Sequence, residues 1–443
     1  MSDLPHQDSK DAIYLHAELL PNIRQITLYV SLPHYPKLHG IHPEIRLSDS
    51  RTEVTVSLPE PFHNVTGTII LPARVGSESG RIQNISPVSA SKINHDYSVR
   101  MQIDANLQTL TSQDELVDDY VPWTAADMST RTRIQCRMCG NRFLKPQPEH
   151  TSENDQSPAA GWIWKDLPSG NWAEMMDFWH CHKPDPHEED SKSDATAALG
   201  IEGQNAQIKG YGASSRLEAI AGTVLIDVAT FLIAYSDCVG LKKDSQLATK
   251  SVSKPSEQLA LHCDKCDAIV GMDDSSMNGY RLLKANLSLN ADKATTHETQ
   301  WESHPTEIIV AAQLLELIER ESARRFVVHC GQKSGLLLWV FNPDMRYSHY
   351  SSSTTRRVNA RQAMKVFFQQ ATDVESILNR DIGKPSPLSV EELELPRMIY
   401  EALSRALLNS HMLLPLSVRR FNEWQVGLLS RFSREELGLN KDV

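Results

Sequence analysis

The chain has 443 residues, 40% of them hydrophobic and 23% charged, an ordinary balance for a soluble globular protein with more than one core. Its 56 acidic residues outnumber 45 basic ones, a net charge of −11, which argues against a nucleic-acid backbone or an anionic membrane as the main partner and is compatible with neutral or basic proteins. Seven cysteines, an odd number with four of them in two Cys-x-x-Cys pairs, fit a reducing cytosolic or nuclear compartment and metal binding better than a disulfide framework.

The opening stretch MSDLPHQDSKDA has neither the basic nor the apolar region of a secretory signal. From Ile13 to about Ile103, the runs IRQITLYVSL, EVTVSL, VTGTIIL and YSVRMQI are β-branched, aromatic or alternating, and polar or Gly/Pro breaks separate them. They predict an antiparallel β-rich N-terminal domain over residues 11–135.

Next comes CRMCG, with Cys136 and Cys139 and a glycine, Gly140, placed to permit the tight turn of a zinc knuckle. CDKCDAIVG supplies Cys263 and Cys266. Two such pairs make a four-thiolate zinc site, although 123 residues lie between Cys139 and Cys263. Three polar stretches interrupt this middle region, at about 145–161, 183–208 and 241–258. They are too poor in large apolar residues to repay ordering and read as mobile insertions. Between the first two lies NWAEMMDFWHCHKP, whose Trp172, Met175, Met176 and Trp179 fall on one helix face, with Pro184 just past the end. Cys181 sits in the last turn between His180 and His182. Three readings stay open there: a nucleophile assisted by His182, a metal ligand, or a packed helix end with an inert thiol. The apolar run AIAGTVLIDVATFLIAY, 219–235, carries Asp227, falls short of a membrane span and predicts a buried helix.

The last third changes character. TEIIVAAQLLELIERESA predicts a helix, and RRFVVHC and GLLLWVFN predict a strand pair around GQKSG. RQAMKVFFQQ, PRMIYEALSRALLNS and SVRRFNEWQVGLLSRF then read as three more helices. The expectation is an α+β protein: the β-rich N-terminal domain, a zinc-knuckle middle region over 136–270, and a C-terminal domain of helices packed on a small sheet over 271–443. No Gly-rich phosphate loop, GxSxG elbow or HExxH occurs, so nucleotide, serine-hydrolase and zincin chemistry lack their motifs.

Taken in order, CRMCG, LPSGNWAEMMDFWHCHKP, CDKCDAIVG, LLLWVFNPD and LPLSVRRFNEWQVGLL resemble the HECT-like E3 ubiquitin ligases, also known as ubiquitin-conjugating enzyme E2-binding proteins. The resemblance runs from Cys136 almost to the end. It implies an E3 ligase that binds a charged E2 and moves ubiquitin to protein lysines, in cytoplasm and nucleus, with the pre-mRNA 3′-end cleavage endonuclease as a further candidate partner. Direct nucleic-acid or membrane binding is not expected. A HECT ligase takes ubiquitin as a cysteine thioester, a step in which one thioester is exchanged for another at little free-energy change. Typical HECT domains keep that cysteine near the C-terminus, whereas no cysteine follows Cys330 here. Cys181, inside the resembling element and beside His182, is the expected acceptor, and Cys330 is the second choice. The alternative is a noncatalytic, zinc-stabilised adaptor that binds an E2 or the endonuclease.

Overall fold

A computed structural model describes residues 13–32, 43–60, 65–77, 86–87, 96–104, 120–146, 161–167, 218–244, 259–291, 300–351, 358–378 and 390–434. The chain forms two compact units, Met1–Tyr120 with Thr306–Val443, and Val121–Pro305.

The first unit begins with a hairpin of β1 (Tyr14–Leu20) and β2 (Gln25–Ser31). β3 (Glu44–Leu47), β4 (Glu53–Ser57) and β5 (Thr66–Ile70) form a separate three-stranded antiparallel sheet. β6 (Ser86–Pro87) and β7 (Asp96–Gln102) extend the hairpin beyond β2. Alternation along β1 is functional in packing terms: Leu15, Ala17 and Leu19 join Val54, Val56 and Ile69 in one core, while His16 and Glu18 lie on the opposite face.

Much of the rest of this sheet comes from the far end of the chain. After the second unit, described below, come α1 (Thr306–Glu321), β17 (Arg325–His329), β18 (Gly335–Ser351), β19 (Val358–Ala371), α2 (Val374–Leu378), β20 (Glu391–Glu394), α3 (Arg397–Leu413), β21 (Arg420–Phe421) and β22 (Trp424–Ser430). β18 is 17 residues long. Its first part pairs with β17 and its last part with β1, while β19 runs along its other edge. The sheet thus has ten strands, ordered β21-β22-β19-β18-β1-β2-β7-β6, with β17 and β20 off that path.

This corrects the expected fold class. The protein is mostly β, and instead of a C-terminal domain of helices on a small sheet, the C-terminal strands complete the sheet that the N-terminal strands begin. Two predicted helices are strands. RQAMKVFFQQ lies in β19, hydrogen-bonded to β18 on one side and β22 on the other, so Met364, Val366 and Phe368 are buried as well as Ala363 and Phe367. Burial on both faces removes the alternation by which a strand is recognised. SVRRFNEWQVGLLSRF contains the β21–β22 hairpin, turned at Asn422 with φ 53°, a residue type that tolerates the left-handed region. The helices at 306 and 397 form as predicted. α3 buries Ile399, Leu403 and Leu407, spaced by one helical turn. Leu407 packs where Gly427 of β22 has no side chain.

The second unit holds β8 (Arg133–Cys136), β9 (Ile163–Asp166), β10 (Thr223–Ile226), β11 (Thr230–Ala234), β12 (Leu241–Lys243), β13 (Ala260–Cys263), β14 (Ile269–Asp274), β15 (Gly279–Leu283) and β16 (Leu287–Asn290). β9 to β15 make a seven-stranded sheet, and β8 pairs antiparallel with β16. The predicted helix at 219–235 is the β10–β11 hairpin. Asp227, which disqualified the run as a membrane span, caps the turn: its backbone N–H donates to Thr230 O and its carboxylate accepts from the Val228 N–H. Both strands are fully buried, and a short apolar run looks the same in a buried helix. Among the described residues, no helix is long and apolar enough to cross a membrane.

Candidate metal centre

Each Cys-x-x-Cys pair closes the end of a strand. Cys136 ends β8, and its carbonyl accepts from the Gly140 N–H at 2.9 Å, while its own N–H donates to Asn141 O at 2.8 Å. Cys263 ends β13, and its carbonyl accepts from the Asp267 N–H at 3.0 Å, while its N–H donates to Ala268 O at 2.9 Å. The two turns are therefore the same knuckle built twice. Each needs a left-handed residue directly after the second cysteine. The first uses Gly140, φ 71°; the second uses Asp267, φ 62°. Aspartate bears that conformation less easily than glycine, and here its carboxylate is held by Lys242 at 2.8 Å.

The segment after the first knuckle ties the two together. The Asn141 side-chain amide donates to Gly240 O at 3.1 Å and to Asp264 Oδ1 at 2.6 Å, and reaches Cys263 Sγ at 3.5 Å. Asp264 N–H also donates to Gly240 O, and Val239 N–H to Phe143 O. Gly240 cannot carry a side chain: a Cβ there would stand 2.6 Å from the Asn141 amide nitrogen and 2.7 Å from Arg142 O. Cys136 and Cys263 belong to a core that includes Ile134, Phe143, Leu261 and Val270, whereas Cys139 and Cys266 are exposed.

The expected ligand set is thereby brought together. The sulfurs of Cys136, Cys139, Cys263 and Cys266 all lie within 4.8 Å of one another, with Cys136–Cys266 and Cys139–Cys263 both at 3.6 Å. None of these thiols is in a disulfide. A tetrahedral ion with metal–sulfur bonds of about 2.3 Å needs sulfur–sulfur edges of roughly 3.8 Å. The donors around the sulfurs also suit thiolates. Burial opposes ionisation of Cys263, but the N–H groups of Cys266 and Lys265 and the Asn141 amide outweigh it and draw the thiol down to about 7. Burial pushes Cys136 the other way, up to about 12, against N–H donors from Cys139 and Met138. A cation is what would let four such close thiols ionise together. The residues fit a metal ion.

Sequence reasoning found the four cysteines and Gly140 but missed Asn141, Gly240 and Asp267. The signal available for Asp267 was its place in CDKCD, matching Gly140 in CRMCG. Cys181 and His182 lie outside the described residues. Cys238 is half-buried, and burial with Asp237 alongside pushes its thiol up to about 12. Cys330 is half-buried just past β17. Its neighbour His329 accepts the Gly331 N–H at Nδ1 and faces Glu392 through Nε2 at 2.7 Å. Both ring nitrogens are engaged, which leaves that imidazole no lone pair to serve as a base for Cys330.

Comparisons with known proteins place these observations. An uncharacterized protein of Saccharomyces cerevisiae, YJR141W, is 24% identical over 311 residues, 70% of this chain and 72% of its own length. An uncharacterized protein of Schizosaccharomyces pombe, C1734.10c, is 24% identical over 344 residues, 76% of this chain and 84% of its own. No solved structure matches. The profile of one family matches residues 18–426, so that it takes in both compact units and all four knuckle cysteines: the chain belongs to the HECT-like ubiquitin-conjugating enzyme (E2)-binding family.

Proposed function

We propose that the protein is an E3 ubiquitin-protein ligase: it binds a charged E2 and promotes ubiquitin transfer to protein lysines, with zinc as the ion held by Cys136, Cys139, Cys263 and Cys266. Membership of an E2-binding family across residues 18–426 carries this reading. Zinc follows from the all-sulfur, four-ligand set, which leaves no open position for catalysis and makes the ion structural. Sorting the cysteines narrows the acceptor. Four belong to the metal group and Cys238 is held as a thiol by burial, which leaves Cys181 and Cys330; Cys181, beside His182, is the proposed acceptor. The working compartment is cytoplasm and nucleus.

Single-turnover discharge of ubiquitin-charged E2 tests this, comparing wild type with Cys181→Ser on non-reducing gels. A thiol-sensitive ubiquitin adduct on wild type, absent from the variant at unchanged zinc content, is the expected result. The second reading is an adaptor without covalent chemistry, which binds an E2 or the pre-mRNA 3′-end cleavage endonuclease. It is favoured by one observation: beside Cys330, the acceptor candidate among the described residues, both ring nitrogens of His329 are engaged and no imidazole base is left for the thiol. No adduct, from an E2 that binds the protein and discharges onto another ligase, would refute the ligase and leave the adaptor.

A further inference from the structure

An aromatic platform lies on the first unit, on the face of β18, β19, β21 and β22. Phe367 of β19 is stacked between Phe341 of β18 and Phe421 of β21, with ring centroids 4.9 and 5.0 Å away and planes within 21° and 16°. Trp339 meets Phe341, Phe367, Phe421 and Trp424 edge-on at 5.2–6.5 Å. The Arg325 guanidinium lies 5.0 Å from the Trp339 ring centre. Phe367 and Trp424 are buried, but Phe341 is 47% and Phe421 46% exposed. A phenyl ring half in water forgoes much of the stabilisation that burial brings, yet two of them cap a single stack. Ring stacking fixes their rotamers in advance, so a partner seated on them orders little. Trp with Arg is also the composition of interface hot spots.

We propose that this platform is the docking surface for the E2, an inference that rests on the proposed function. Two observations select that occupant. The segments LLLWVFNPD and LPLSVRRFNEWQVGLL, which carried the family resemblance, are far apart in sequence and converge here: the first supplies Trp339 and Phe341, the second Phe421 and Trp424. The family they resemble, and to which the chain belongs, is E2-binding. Charge gives the partner its chemistry. Arg325 borders the platform, exposed Arg420 adjoins Phe421, and exposed Glu423 stands in the β21–β22 turn, a rim of mixed charge with two arginines to one carboxylate. The surface suits an E2 face that is apolar at its centre and carries carboxylates for the two arginines.

The test is biolayer interferometry of the full chain against a panel of purified E2 enzymes, each with and without ubiquitin. For the E2 that wild type binds, Phe341→Glu and Phe421→Glu weaken Kd at least tenfold, while Ile220→Ser, an exposed apolar site in the other unit, leaves Kd within twofold. Phe341→Ser and Phe421→Ser, which add no charge, carry the comparison if a Glu variant melts early. Wild-type binding with all four Phe variants within twofold overturns the docking surface and spares the proposed function. Failure of wild type to bind any E2 overturns the proposed function and the inference with it. The docking surface is also overturned if the variants instead abolish a concentration-dependent dimer in sedimentation equilibrium, or binding of a labelled single-stranded RNA, at unchanged E2 affinity.

Discussion

Replacing Glu18 with Gln probes the ionic link between the two ends of the chain. Glu18 on β1 and Lys365 on β19 stand 347 positions apart, and the ammonium reaches across β18 to donate to both carboxylate oxygens, at 3.0 and 2.8 Å. Only 3% of the Glu18 side chain and 12% of the Lys365 side chain are exposed, and His16 Nε2 lies 3.2 Å from the same carboxylate. Burial alone would raise the Glu18 pKa, but Lys365 and His16 outweigh it and hold the carboxyl at about 2 instead of 4.5. At about 1.4 kcal/mol per pKa unit, that difference is worth roughly 3 kcal/mol, in line with the ~3–5 kcal/mol lost when one partner of a buried pair is removed. Because the folded pKa is the lower one, this stability is fully present above about pH 4.5 and disappears as pH falls toward 2. Urea unfolding of the two proteins at a series of pH values measures it. The expected result is a variant less stable by about 3 kcal/mol at pH 7, with the gap closing on acidification. Adding Lys365→Met should recover much of the loss, since the stranded ammonium is then gone. A gap below about 1 kcal/mol at pH 7, or one that persists unchanged down to pH 2, would refute the argument.

Two further outcomes follow from the second unit. Cys263→Ser removes one of four sulfurs and exposes a knuckle to water, so metal content by mass spectrometry should fall from one ion per chain to near none, with the melting temperature falling too; unchanged metal content would sink the shared site. Lys284 is fully buried, its ammonium held by the carbonyls of Pro122 and Trp123 at 2.9 and 3.3 Å and set 5.3 Å from the Phe231 ring centre. Burial draws its pKa down to about 7, against Asp227, Asp166 and Asp127. The folded pKa again lies below the unfolded one, but for a base the folded state sheds its proton first. Wild-type stability relative to Lys284→Met should therefore rise from about pH 7 toward pH 10.5, and a flat difference in thermal melts over that range would contradict it.

Strands with one wet face were legible by their alternation, and the β17–β18 pair, though largely buried, was legible from two short apolar runs around GQKSG. The strands at 25–31, 53–57, 66–70 and 96–102 alternate and were legible. Three stretches that read as helical, at 219–235, 361–370 and 417–432, contain strands with apolar residues on both faces or a two-residue hairpin turn, and neither leaves a period-two signature. The same blind spot hid the architecture. Nothing local in β18 says that one half will pair with β17 and the other with a strand more than 300 residues earlier; the pairing is decided by which apolar faces match in three dimensions.

The four-cysteine cluster was legible for a different reason. Thiolate chemistry restricts which residues can serve and how closely two on one turn must follow each other, so each knuckle announced itself within five residues. What lay out of reach was the meeting of the two. Backbone bonds between Val239 and Phe143, and between Asp264 and Gly240, bring the second knuckle against the segment that leaves the first. Asn141 then spans the gap, which works only because Gly240 has no side chain. Three ordinary polar and small residues thus close the 123 positions that separate the cysteine pairs. The same logic separates the knuckles from the aromatic platform. The cysteines are held by chemistry that one short turn can express, whereas Phe341, Phe367 and Phe421 acquire their meaning only when three strands bring them into one stack.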